Sequence, residues 1–348
     1  MHSITIRQGC RLRDLLPLLV ATVASAAAAH AQSAAAPAHR TQVVLLGTKG
    51  GPTADAERSE PASLLLVDGT PYLIDAGAGV ARQLAAAGYP PPQVRNIFLT
   101  HHHLDHDAGL EPLMGLSWIG TGLSGKTKPP VEIYGPPATG FLVDAALRYI
   151  SVSERIFRAG IPTLPTALSM FVAHDIDHDG LAFQDARIKV TAAENTHLRH
   201  PSGGPDASRD MSFSYRFDTP SGSVVFTGDT GPSDAVTRLA TGADVLVSEV
   251  YLPSSGMPRS GSGSSATTPL MKQLAEHMAL EHLSPEEVGK MAARAGVKTV
   301  ILTHIVAANS PALADQLKAG VHRYFKGPVI VGQDLLSFDL GKQTAELP

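Results

Sequence analysis

Residues 99–109 read LTHHHLDHDAG, four histidines and two aspartates in eleven positions. Imidazole nitrogen and carboxylate oxygen are donors that zinc favours, so the first chemistry this stretch suggests is metal binding. In an extended chain side chains alternate, which sends His101, His103 and Asp105 to one side and His102 to the other. His106 would turn toward a second ion if a helix began here with Asp105 as its cap. A single loop rarely closes a tetrahedral site, so distant donors are needed. The chain offers His197 after RIKVTAAE, Asp229 after SVVFTG and His304 after TVILT, each just past an apolar, β-branched run. His200, three residues beyond His197, competes for the same place. Spacing alone leaves a solvated, histidine-rich loop as the alternative.

The elements that must hold these donors are strands. TQVVLLGT reads as the first, followed by a GTKGGP turn. The two apolar runs of SLLLVDGTPYLIDAG meet at Asp68-Gly69, residues that tolerate the positive φ of a hairpin turn. A helix, GVARQLAAAG, and a short strand, NIFLT, come next. The histidine cluster therefore starts where a buried strand stops, the place where layered α/β folds gather ligands. VEIYGPPATG gives a strand and turn, and residues 140–160 read as helical. MSFSYRFDTPSGSVVFTGDT repeats the hairpin form, and the likeness of LIDAG to FTGDT suggests two related halves. DVLVSEV, a helix SPEEVGKMAARAG capped by Ser284 with Glu287 three residues on, TVILTH and a final αβ unit complete the chain. PSGGPDASRD (201–210) and PSSGMPRSGSGSSATTP (253–269) lack periodicity, as exposed linkers or as mobile lids over a pocket.

With 43% hydrophobic and 17% charged residues in 348, the composition is that of a globular protein with a large core. Arg7, Arg11 and Arg13 precede LLPLLVATVASAAAA and an Ala-His-Ala site, the pattern of a secretory signal peptide over residues 1–31. That run is too short to span a bilayer. A flexible leader (32–40) and one hydrolase domain (41–348) would follow. Cys10, the only cysteine, lies inside the signal, so the mature chain would hold no thiol. The net charge of −4 becomes more acidic once the signal is removed, and gives no counterion-release drive toward nucleic acid.

In order and spacing, Thr100-His101-x-His103-x-Asp105-His106, His197, Asp229 in Gly-Asp-Thr and His304 in Leu-Thr-His resemble the metallo-β-lactamase superfamily over nearly the whole mature chain. GTKGGP, YGPPATG and His282-Leu-Ser-Pro-Glu-Glu look most like its ribonuclease Z and arylsulfatase branch. The resemblance implies an α/β fold, an αββα sandwich of the metallo-β-lactamase type with a metal centre at one edge between two sheets. It implies two Zn2+ per chain: one on His101, His103 and His197, one on Asp105, His106 and His304, with Asp229 bridging. Such ions share a hydroxide that is nucleophilic at neutral pH. Asp105 and His282 are the catalytic candidates, His282 as a residue that meets the leaving group or an oxyanion. The aspartate at 229 suits phosphodiesterase and sulfatase members better than lactamases. Histidine rather than glutamate at 103 suits zinc over a redox iron pair, although ligand softness alone leaves manganese and iron open.

Asp75 and Glu249 are expected either behind ligand imidazoles or in structural hydrogen bonds. His174 and His178 in HDIDHDG are expected on a solvated hairpin tip, and His277 on the solvent face of a helix. The expected function is an exported, periplasmic or secreted, dinuclear zinc hydrolase of a phosphate or sulfate ester. Its expected partner is a small-molecule ester, with no nucleic acid, no membrane after signal cleavage, and a homodimer as the assembly to look for. Processing of tRNA does not suit a chain that leaves the cytoplasm. A β-lactamase or lactonase of the same superfamily, and a zinc-binding scaffold without catalysis, are the alternatives.

Overall fold

The chain folds as two successive runs of strands, each interleaved with helices. The first run holds β1 (Thr41–Gly47), β2 (Ala62–Val67), β3 (Thr70–Ile74), α1 (Val80–Ala86), β4 (Asn96–Phe98), α2 (Leu104–Asp107), α3 (Leu110–Leu123), β5 (Val131–Gly135), α4 (Thr139–Gly160) and β6 (Phe171–Asp175). The second holds β7 (Gly180–Gln184), β8 (Lys189–Glu194), β9 (Phe213–Thr219), β10 (Gly222–Phe226), α5 (Asp234–Leu239), β11 (Val245–Tyr251), α6 (Pro269–Glu281), α7 (Pro285–Ala295), β12 (Thr299–Val306), α8 (Leu313–His322) and β13 (Val329–Val331). Two short strands, β14 (Ser337–Asp339) and β15 (Thr344–Glu346), return to the first run. This computed structural model describes residues 39–347 apart from 52, 200–209, 253–268 and 308. The expected signal peptide with Cys10, His200, and nearly all of the two Gly/Ser/Pro-rich stretches lie outside the described residues.

Two sheets result, ordered β15-β14-β1-β2-β3-β4-β5-β6 and β13-β12-β11-β10-β9-β8-β7. Three apolar layers hold them. Between the sheets lie Val43, Leu65, Tyr72, Phe98, Tyr215, Phe217, Val224 and Ile301. Outside the first sheet, Leu64, Leu66, Ile97 and Ile133 pack with Val80, Leu84, Met114, Trp118 and Val143 from its helices. Outside the second, Leu246, Val300 and Leu302 pack with Val288, Met291, Leu317 and Val321. This is the αββα sandwich. It explains why SLLLV and VILT are continuous apolar runs: Leu64 and Leu66 face helices while Leu65 and Val67 face the other sheet, so both faces are buried.

Cross-sheet contacts fix the end of β4, from which the histidine cluster departs. Phe98 packs edge-on against Phe217, with ring centroids 5.2 Å apart. Tyr215 Oη donates to the Leu99 carbonyl at 2.9 Å, and the Phe213 amide donates to the Thr100 carbonyl at 2.9 Å. The peptide just before His101 is thus held by the opposite sheet.

Both expected hairpins are present, β2–β3 turning through Asp68-Gly69 and β9–β10 pairing Thr219 with Gly222. Ser284 caps α7, accepting from the Glu287 amide at 3.2 Å. HDIDHDG is not a hairpin tip: β6 belongs to the first sheet and β7 to the second, so the segment is a crossover between layers. There His174 pairs with Glu132 at 2.6 Å and exposed His178 with Asp177.

Candidate metal centre

His101 to His103 leave β4 extended, and the chain then turns into the single turn of α2. His103, not Asp105, is the N-cap residue, and it makes no side-chain cap bond. The start at Leu104 splits the cluster. His101 and His103 stay with His197 from the end of β8, whereas Asp105 and His106, carried round by the helical turn, face His304. The alternation expected for His101, His103 and Asp105 therefore stops at His103, because Asp105 is already helical.

His101 Nε2 and His197 Nε2 each lie 3.0 Å from His103 Nδ1. Three ligand nitrogens around a tetrahedral zinc with bonds of 2.0–2.1 Å stand roughly 3.3 Å apart, so this trio is spaced as ligands are rather than packed as rings. On the other side His304 Nε2 lies 3.4 Å from Asp105 Oδ2, and His106 Nε2 lies 3.7 Å from the same oxygen. Asp229 stands between the two sets. Its Oδ1 is 3.3 Å from His106 Nε2, and its Oδ2 is 3.1 Å from His304 Nε2, 3.8 Å from His197 Nε2 and 4.0 Å from His101 Nε2.

The donors reach these places through specific backbone devices. The β11–β12 ladder pairs Glu249 with Thr303 and Val250 with Ile305, leaving His304 as the extra residue of a bulge. Its φ of 41° is a conformation that non-glycine residues rarely adopt, and the bulge re-aims its ring out of the sheet. A Cβ on Gly50 would come within 2.6 Å of His304 Nδ1, so only glycine fits beside that ring. Asp75, at φ 58°, ends β3 and accepts from the Thr100 amide at 2.8 Å; its other oxygen lies 2.9 Å from His106 Nδ1. His197 Nδ1 is 3.0 Å from the Glu281 carbonyl, and Thr100 Oγ1 is 3.1 Å from His101 Nδ1. For His106, His197 and His101 the outer ring nitrogen is engaged and the inner one is left for the centre, the arrangement that orients metal-binding histidines.

The electrostatics match this division. Burial drives the pKa of His101 well below its usual value, helped by the nearby His106, and drives that of His197 down to about 3, so both are neutral. Burial also works against charging His304, yet Asp229 and Asp105 outweigh it and raise its pKa to about 10. His106 is raised in the same way by Asp229 and Asp75. Without metal, protons on these two rings supply the positive charge that the buried carboxylates require. His106 Nε2 and Asp229 Oδ1 are buried with no hydrogen-bond partner among the described residues. Nitrogen and oxygen donors, orphaned inner atoms and surplus buried carboxylate all fit a divalent cation.

A family model described as a beta-lactamase superfamily domain matches residues 70–305, from the hairpin turn to the residue after His304. The chain belongs to the metallo-β-lactamase superfamily. A ribonuclease Z of Mycobacterium bovis (strain BCG / Pasteur 1173P2) is 30% identical to it over 299 residues, covering 84% of this chain and 96% of that protein. Two solved structures share the fold. One is the metallo-beta-lactamase fold protein YhfI from Bacillus subtilis, with TM-score 0.61 and 20% identity over 86% of this chain and 99% of that one. The other is human tRNase Z, short form, with TM-score 0.59 and 20% identity over 85% and 98%.

As a member of this superfamily the chain is a metal-dependent hydrolase close to ribonuclease Z, in a fold that implies a divalent metal, typically zinc. The similarity to ribonuclease Z overturns the expectation of a small-molecule ester partner with nucleic acid excluded. Net charge misled there because it is a property of the whole surface, whereas a cation-binding cleft sets its own local field.

The remaining candidates divide. His282 Nδ1 bonds Glu249 at 2.7 Å, and Glu249 also accepts from the Thr230 amide at 2.7 Å, so Glu249 braces His282 beside the centre. Burial opposes the charge on His282, but Glu249 outweighs it and raises its pKa. His102 turns away, 3.3 Å from the Pro136 carbonyl and 3.2 Å from Thr139 Oγ1. His277 keeps about a third of its side chain exposed, as expected on a helix, but its ring also comes within 6.0 Å of His197 and 5.5 Å of His282. The signal for it was its place five residues before His282, itself a catalytic candidate.

Proposed function

We propose that this protein is a phosphodiesterase of the ribonuclease Z type, cleaving RNA at a dinuclear zinc centre. The carrying observation is the convergence of His101, His103 and His197 on one side and Asp105, His106 and His304 on the other, with Asp229 facing both sets. Similarity to a ribonuclease Z along nearly the full length of that relative supports the choice of RNA phosphodiesters over other esters. Bound ions would polarise a phosphoryl oxygen and lower the pKa of a water. The chain's own residues do the rest. Asp75, the Glu281 carbonyl and Thr100 fix the imidazoles, and Asp229 holds the two donor sets in register. Asp105, tied to the Gly51 amide at 3.0 Å, is positioned to accept a proton. His282, held through Nδ1 by Glu249, offers its Nε2 to the leaving oxygen.

The test is cleavage of a radiolabelled tRNA transcript by zinc-loaded protein, with aryl sulfate and nitrocefin as controls. RNA cleavage that disappears in Asp229→Ala supports the reading. Intact RNA with turnover of either control contradicts it. Full zinc loading without turnover of any substrate would return the protein to a zinc-binding scaffold.

A further inference from the structure

Two histidine–carboxylate pairs flank the centre on one side. One is His282 with Glu249, both buried. The other is His277 with Glu281 on α6, where Nδ1 lies 2.8 Å from Oε2. The second pair differs in exposure: the Glu281 side chain is only 5% exposed, while that of His277 is 32% exposed. A buried carboxylate therefore braces an imidazole that solvent can reach. Glu281 also receives the outer nitrogen of His197 on its carbonyl, so one residue positions a candidate metal ligand with its main chain and His277 with its side chain. The His277 ring stands 5.5 Å from that of His282, nearly perpendicular to it at 78°. With Nδ1 turned to Glu281, Nε2 is the polar atom left for an outside partner, and it has none among the described residues. Helix α6 buries Ala275 and Met278, and an imidazole braced by a buried carboxylate beside the centre is a pre-oriented hydrogen-bonding group.

We propose that His277, oriented by Glu281, is a substrate-binding residue whose Nε2 contacts a phosphate oxygen of the RNA beside the scissile bond. This rests on the phosphodiesterase reading above. It assigns His277 a role in binding rather than in chemistry, and Glu281 the role of positioning residue.

The experiment compares zinc-loaded wild type with His277→Ala, His277→Gln and His277→Asn. It measures zinc content, inorganic phosphate affinity by calorimetry, and KM and kcat on RNA. His277→Ala is expected to weaken phosphate binding and raise KM by roughly tenfold, the scale of one hydrogen bond to a charged group, with kcat and zinc content little changed. His277→Gln keeps an N–H at similar reach and should recover most of the loss. His277→Asn, too short to reach, should not, and these two variants decide the matter if the alanine variant does not fold. Unchanged phosphate affinity and KM in His277→Ala and His277→Asn would overturn the proposal. So would loss of zinc in parallel with activity, which would make His277 a support for His197. If the wild type neither cleaves RNA nor binds phosphate, the phosphodiesterase reading falls and takes this one with it. Wild-type cleavage with indifferent His277 variants sinks only the inference about His277.

Discussion

The strands β1–β6 and β8–β13 follow one plan. In each set the first two pairings are antiparallel and the next three parallel. Asp75 follows the second hairpin strand of the first half, and Asp229 follows that of the second. Yet Asp75 addresses the outer nitrogen of His106 at 2.9 Å, while Asp229 stands among the inner nitrogens, 3.3 Å from His106 and 3.1 Å from His304. Local backbone makes the difference. Asp75 itself takes the positive φ, directly after Ile74, whereas in the second half Gly228 takes it at 56° and Asp229 lies one residue further on. A Cβ on Gly228 would come within 2.8 Å of Thr100 Cβ, so glycine lets that turn close against the other half. One architecture thus yields a brace in one half and, in the other, a carboxylate that stands between the two donor sets. The donors are likewise unequal: a contiguous cluster after β4 and in α2 in the first half, single residues past the ends of β8 and β10 and at the bulge of β12 in the second.

The sharpest way to break this contrast is to remove each aspartate in turn. Asp229→Ala should lower activity by at least about a thousandfold, well beyond the 10- to 100-fold that loss of an outer partner costs. Steady-state kinetics on RNA with zinc content measured in parallel checks it, and equal effects from the two aspartates would refute the distinction. Asp75→Ala should weaken zinc affinity by about 10- to 100-fold while leaving residual activity at saturating zinc, read by competition with a chelating dye. A third effect concerns protons. In the metal-free protein at pH 7, His304, with its pKa near 10, and His106, also raised, both carry a proton. Zinc needs neutral imidazole, so binding at pH 7 should expel about two protons per chain. Apparent zinc affinity should then rise with pH and level off as the His304 pKa is passed. Calorimetry in buffers of different ionisation enthalpy measures the count, and no proton release would contradict the charge pattern described for the centre.

Much of this was legible in the chain because strand ends are marked by composition. RIKVTAAE stops at polar residues with His197 just beyond, Asp229 follows SVVFTG, and His304 follows TVILT, although β12 itself runs on to Val306. The likeness of LIDAG to FTGDT foreshadowed the two halves for the same reason. What the sequence could not show were features made by distant partners. The bulge that frees His304 depends on the register between β11 and β12, and β14 takes strand form by pairing onto β1, β15 by pairing onto β14. HDIDHDG looked like a hairpin tip because local pattern does not say that its flanking strands join different sheets. Asp105 is not a cap, because the helix begins one residue before it, and no local pattern fixes that start. The proximity of His277 to the centre is likewise invisible in the chain, because only the packing of α6 brings its ring near His197.

Zinc counted per chain, by mass spectrometry on protein loaded and then freed of loose metal, goes straight to the central claim. Two equivalents in the wild type, falling below one in Asp229→Ala, is the result expected of two donor sets joined by one carboxylate. One equivalent or fewer in the wild type, with all seven donors intact, would contradict it.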